Sequence, residues 1–135
     1  MAQNTMPMAR SAARVPGHFG EWMQGRLGPD GPVALITLAC PALGVVAPGS
    51  GPGIDRLFPP HAVAGFARAL GLGAVAWPGL DPDMPMGAGA GASTACLVAS
   101  ARAAGWGGDP QALARACLDV EGATDPLMYP APDRL

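Results

Sequence analysis

Gly87, Gly89 and Gly91 alternate with small residues in the stretch Pro85–Ala95, PMGAGAGASTA, and Ser93 and Thr94 follow them. A glycine-rich loop that runs into a helix start leaves backbone N–H groups unpaired and aimed at one spot. The helix dipole favours negative charge there, and glycine, lacking Cβ, lets a ligand approach the backbone closely. This pattern suits a phosphate cradle, with the hydroxyl of Ser93 or Thr94 offered to a phosphate oxygen or to Mg2+. Composition offers a plainer origin, because a chain with 20 Gly and 50% hydrophobic residues produces glycine–alanine runs by chance. The lysine of a P-loop is missing, and Gly87-x-Gly89-x-Gly91 lacks the glycine spacing of the dinucleotide fingerprint.

Two polar constellations accompany the loop. Glu21 and Gln24 lie three apart in Val15–Gly25, VPGHFGEWMQG, with Trp22 and Met23 between them. They fit either a solvated surface turn or a polar pocket wall with Trp22 packed beneath it. Glu121 and Asp125 lie four apart in EGATDPLMYP. Close carboxylates suit Mg2+ binding or general-base work, since each can take a hard cation or a hydroxyl proton. An ordinary acidic turn has the same spacing. His61 reads as a surface or capping residue and Cys40 as a small core residue.

The elements that must position these groups follow from periodicity and punctuation. Residues 1–14 read as a flexible lead-in and 15–135 as one domain. Pro16, Gly17 and Gly20 predict turn or irregular backbone over Val15–Gly25. Arg26–Pro32, with Asp-Gly and flanking prolines, reads as a hairpin turn. Val33–Ala39 predicts a buried strand stopped by Pro41, and Gly44–Pro48 a second short strand. Gly49–Pro60 reads as a loop. Pro60–Gly73 carries the helical stripe Val63, Phe66, Ala67 and Leu70 between a proline start and a glycine stop. Ala74–Trp77 reads as a strand. Ser93–Ala104 predicts a small-residue helix with Leu97 facing the core. Asp109 should cap a helix over Gln111–Val120 that buries Leu113, Ala114, Cys117 and Leu118.

Composition sets outer bounds. One domain of 135 residues can enclose a single core. A net charge of −2 is too weak to suggest a nucleic-acid or membrane-surface partner. All eight basic residues are Arg, the mark of GC-rich codon bias rather than of function. Three cysteines without a CxxC pair speak against a disulfide framework or a zinc site, and suit a reducing, cytoplasmic compartment. The N-terminus carries Arg10 and Arg14 without a following apolar block, so it does not read as a secretion signal.

Taken in order, three segments resemble the N-terminal half of a GHMP-superfamily kinase. The nearest branch is the L-threonine kinase of cobalamin synthesis and propanediol utilisation. The first segment is Pro16-x-x-x-Gly20-Glu21-x-x-Gln24-Gly25, followed by Cys40-Pro41. The second, Pro85-x-Gly87-x-Gly89-x-x-x-Ser93-Thr94-Ala95, is similar to the superfamily's phosphate loop. The third is Val120-Glu121 with Thr124-Asp125. The chain departs from the branch at Ala88, where a basic residue is common, at Ala92, which replaces the first of two serines, and at Cys96, where Asp is common. The interval from Glu121 to Asp125 is also slightly longer than usual.

The resemblance implies an α+β fold, a two-layer α/β sandwich without the C-terminal domain of such kinases. Pro85, Gly87, Gly89, Gly91, Ala92, Ser93 and Thr94 would wrap the phosphates of ATP. Ser93 and Glu121 would hold Mg2+, Asp125 would accept the substrate hydroxyl proton, and Glu21 and Gln24 would lie near the reacting centre and the substrate. The implied activity is phosphorylation of the hydroxyl of L-threonine or a similar amino alcohol. A homoserine-like kinase and a catalytically silent nucleotide-binding or self-assembling module are the alternatives. The resemblance also implies that this chain is a fragment or a shortened relative, with an apolar face that self-association would cover.

Overall fold

The computed structural model describes residues 12–122 and, within its strands, leaves out the side chains of 20–24, 33 and 35. Two long strands, β1 (Ala13–Arg26) and β2 (Val33–Ala47), form an antiparallel hairpin. A two-residue strand, β3 (Asp81–Pro82), joins β2 opposite Val45 and Val46, giving the order β1-β2-β3. The helices are α1 (Ile54–Leu57), α2 (Pro60–Ala69), α3 (Ala92–Ala103) and α4 (Pro110–Glu121). Helices and a small antiparallel sheet make this a mixed α+β chain. Among the described residues no helix is long and apolar enough to cross a membrane.

The hairpin turn falls where Asp-Gly and the prolines placed it. Leu27 N–H donates to Pro32 O at 3.0 Å, and the Arg26 guanidinium donates to Gly31 O at 2.8 Å. The strands themselves differ from expectation. Val15–Gly25 is not a turn but most of β1, and the strand takes in Ala13 and Arg14 from the expected lead-in. Pro16, Gly17 and Gly20 fall at register shifts, between Pro16 and Gly17 and between Phe19 and Met23. Among the described residues β1 is an edge strand, where a proline removes no ladder bond that the sheet needs.

Pro41 likewise does not stop a strand. β2 runs straight through it, because Pro41, Ala42 and Leu43 bulge out between the pairs Gly17↔Cys40 and Pro16↔Gly44. Arg14 from the neighbouring strand takes up the freed carbonyls, with donors 3.0 Å from Pro41 O and 3.4 Å from Ala42 O. The same guanidinium lies 3.6 Å from the Asp83 carboxylate. Ala74–Trp77 is not a strand. Its backbone is irregular, and Trp77 packs on Phe66, with ring centroids 5.9 Å apart.

β3 is held by Asp81. Its carboxylate accepts from Ser50 N–H at 2.8 Å, Ser50 Oγ at 3.0 Å and Gly51 N–H at 3.1 Å, and these bonds hold the carboxyl below its usual range. The expected loop after β2 contains α1, whose Ile54 is fully buried.

α3 is the centre of the core. Its residues from Thr94 to Ala101 are all buried, and the run of Ala, Cys, Val and Ser lets it lie close on β1 and β2 while touching α1 and α4. A helix that is apolar nearly all round is one enclosed by protein. α2 packs against α4. Its stripe Val63, Phe66, Ala67 and Leu70 is buried as expected, and it ends at Leu70 before two left-handed glycines, Gly71 and Gly73. α4 buries Leu113, Ala114 and Cys117 as expected, but Ala116 takes the fourth core position and Leu118 lies on the exposed side.

Candidate functional site

Between β3 and α3 the chain forms an arch. Met84 and Ala90 are buried, while Pro85, Met86, Gly87, Ala88 and Gly89 between them are exposed. Gly87, Gly89 and Gly91 have φ of 78°, 76° and 72°, and no non-glycine residue described has a positive φ. The backbone therefore alternates hand through the arch. Successive amides in such an alternation form a concave donor array that binds anions. A Cβ on Gly87 or Gly89 would meet nothing within 4 Å among the described residues. Glycine is needed here for backbone hand, and the outer side of the arch is open.

The arch feeds α3 through Gly91, a left-handed N-cap that supplies no side-chain cap, and the first helical turn closes with Ala95 N–H on Gly91 O at 2.9 Å. The first-turn amides of Ala92, Ser93 and Thr94 are thus not met by a capping side chain, and the positive end of the helix points toward the arch. The two candidate hydroxyls separate here. Thr94 is buried in the core, whereas Ser93 keeps access to solvent.

Glu121 is the last residue of α4, where Gly122, at φ 72°, ends the helix with its N–H on Leu118 O at 2.8 Å. One carboxylate oxygen, Oε1, is buried and has no hydrogen-bond partner among the described residues. The carboxylate lies within electrostatic reach of Cys96, one turn after Ser93. Burial first, and then the Glu121 charge, push the Cys96 thiol up to about 11. The end of α4 and the first turns of α3 therefore converge. A buried carboxylate oxygen is costly where nothing compensates it.

Ser93 and Glu121 are both oxygen donors, the ligand type a hard cation takes, while among the described residues no group of three or more His, Cys, Asp and Glu is placed to hold a metal. Mg2+ is commonly bound in this way, by one or two protein oxygens together with substrate phosphates.

Gln24 pairs with Leu35, and Glu21 lies in the irregular part of β1 between Phe19 and Met23; their side chains stand outside the description. Asp125 lies outside the described residues. The arch has a further contact that sequence reasoning missed. His18 N–H donates to Ala90 O at 3.1 Å, and a Cβ on Gly17 would come within 3.1 Å of that oxygen and 2.6 Å of Met84 Sδ. The available signal was a glycine directly after Pro16 in what proved to be a strand, the mark of a close backbone approach. Comparison with protein-family models, with curated proteins and with solved structures finds no match to this chain.

Proposed function

We propose that this chain carries the ATP-binding domain of a small-molecule kinase of GHMP type, which phosphorylates the hydroxyl of L-threonine or a similar amino alcohol. The observation that carries the reading is the open arch with three left-handed glycines running into the uncapped start of α3. The finer fold reading, a two-layer α/β sandwich like the N-terminal domain of such kinases, draws support from α3 lying across the β1–β2 pair.

Phosphoryl transfer asks little covalent chemistry of the protein; it needs positioning and charge neutralisation. The amides of the arch and of the α3 start would grip the polyphosphate. Ser93 and Glu121 would hold Mg2+, which when bound neutralises charge on the phosphates. Glu21, Gln24 and Asp125 stay assigned to substrate and proton transfer by resemblance alone. Cys40, Cys96 and Cys117 form no disulfide among the described residues, which suits a reducing cytoplasm.

A second reading, a catalytically silent nucleotide-binding module, is favoured by one feature: the exposed arch carries Ala88 and no basic side chain from Met84 to Gly91. Calorimetry with Mg-ATP, followed by a scan of hydroxyl substrates for ADP release, separates the readings. The kinase reading expects binding and turnover; binding without turnover on any acceptor selects the silent module; no binding removes both. In Ser93→Ala the affinity for Mg-ATP should fall about tenfold, the effect of losing one charge-assisted oxygen contact. Unchanged affinity would remove Ser93 from the metal role.

A further inference from the structure

The geometry points to the Gly17–His18 peptide of β1 as a positioning element that aims the Gly91 amide into the arch. This rests on the nucleotide-binding reading and names the part of the scaffold that tunes it. The Ala90 carbonyl is fixed by the His18 N–H at 3.1 Å. A trans peptide is planar, with its C=O and N–H pointing opposite ways. Tying Ala90 O to β1 therefore turns the Gly91 N–H away from β1. Gly91 is also the residue at which the arch becomes α3.

Gly17 permits this bond. Any side chain there would press on Ala90 O, at 3.1 Å from its Cβ, and on the buried Met84, at 2.6 Å from Sδ and 3.3 Å from Cε. Met84 and Ala90 are the two buried ends of the arch, so both of its feet stand against the same residue of β1. A shift at Gly17 would rotate the Ala90–Gly91 peptide and mis-aim its donor. β1 also carries Glu21 and Gln24 a few residues on, so the strand assigned to substrate and the arch assigned to phosphate share one fixed point.

The test compares wild type, Gly17→Ala and Gly17→Ala/Met84→Ala. Calorimetry measures binding of Mg-ATP and of inorganic tripolyphosphate, and amide hydrogen exchange is followed at His18, Gly91 and α4. Gly17→Ala should weaken both ligands at least tenfold and speed exchange at His18 and Gly91 while α4 is unchanged. Adding Met84→Ala removes two of the three close atoms and should recover much of the affinity. Equal binding and equal exchange in Gly17→Ala would overturn the proposal while leaving the kinase reading intact. If wild type binds neither ligand, the kinase reading fails, and the exchange pattern alone decides the fixed point. If both variants fail to fold, the wild type decides. Tripolyphosphate should then slow exchange at Gly91 and His18 together, and slowing at Gly91 alone would overturn it.

Discussion

Ser93, Cys96 and Glu121 show how three residues of ordinary type acquire unequal roles. Ser93 and Thr94 are adjacent in sequence, yet the helix turns Thr94 into the core and leaves Ser93 accessible. Cys96, fully buried and facing the Glu121 charge, has its thiol raised from 9.0 to about 11, so it is no nucleophile at neutral pH. That shift has a consequence for stability, and its sign is fixed by which state loses the proton first. Below pH 9 both the folded and unfolded chains keep it. Between 9.0 and about 11 the unfolded chain ionises and the folded chain does not, so stability falls as pH rises through this window. From the shift, the loss at pH 10 should be on the order of 1 kcal/mol. Urea unfolding at pH 8 and pH 10 should show that difference in wild type and a smaller one in Cys96→Ala. In Glu121→Gln, alkylation of Cys96 should begin at lower pH, yet still above the range of a free thiol, because burial is the larger cause.

At the scale of elements, the three longer helices are legible in the sequence, while α1 reads as loop, β2 as two separate strands and β1 as a turn, for a physical reason. A helix is specified by neighbours within one or two turns, so the stripe of α2 and the Asp109-Pro110 start of α4 could be read locally. The Asp109 carboxylate does accept from Gln111 N–H at 3.2 Å. In Asp109→Ala thermal melting should report a loss of about 1 kcal/mol, the usual worth of an N-cap. Less than about 0.3 kcal/mol would mean that Pro110 and packing fix the start without it.

A strand, by contrast, is specified by its partner. Pro41 reads as a stop until Arg14, 27 residues earlier, is seen to take up the carbonyl of the bulge. Pro16 and Gly17 read as a turn until β2 is laid beside them. The candidate site divides along the same line. Gly87, Gly89 and Gly91 were legible because backbone hand is a local property. The convergence of Glu121 on the first turns of α3, and the seating of Ala90 on His18, depend on packing between distant segments and leave no local trace.

At the scale of the whole molecule, the described residues cover the sheet unevenly. The helices lie on the part of the sheet near Val15, Val45 and Ala47, which are buried, while the hairpin continues beyond it. Phe19 pairs with Leu38, and Ile36 follows two residues along the same face of β2; they are 53%, 48% and 52% exposed. Residues directly opposite in an antiparallel pair share a face, so these three form one apolar row. β3 reaches only Val45 and Val46, so among the described residues the first half of β2 has no second strand partner. From Val33 to Ala47 this strand carries no charged residue, the usual guard of an open edge. An uncharged edge beside an exposed apolar row should draw chains together. Sedimentation velocity over a hundredfold concentration range should therefore show a coefficient that rises with concentration in wild type. Leu38→Lys places a charge in the row and should hold the chain at the monomer value. Because Leu38 is half exposed, its melting temperature should move by no more than a few degrees. A wild-type coefficient that stays at the monomer value throughout would remove self-association as the way this face is covered.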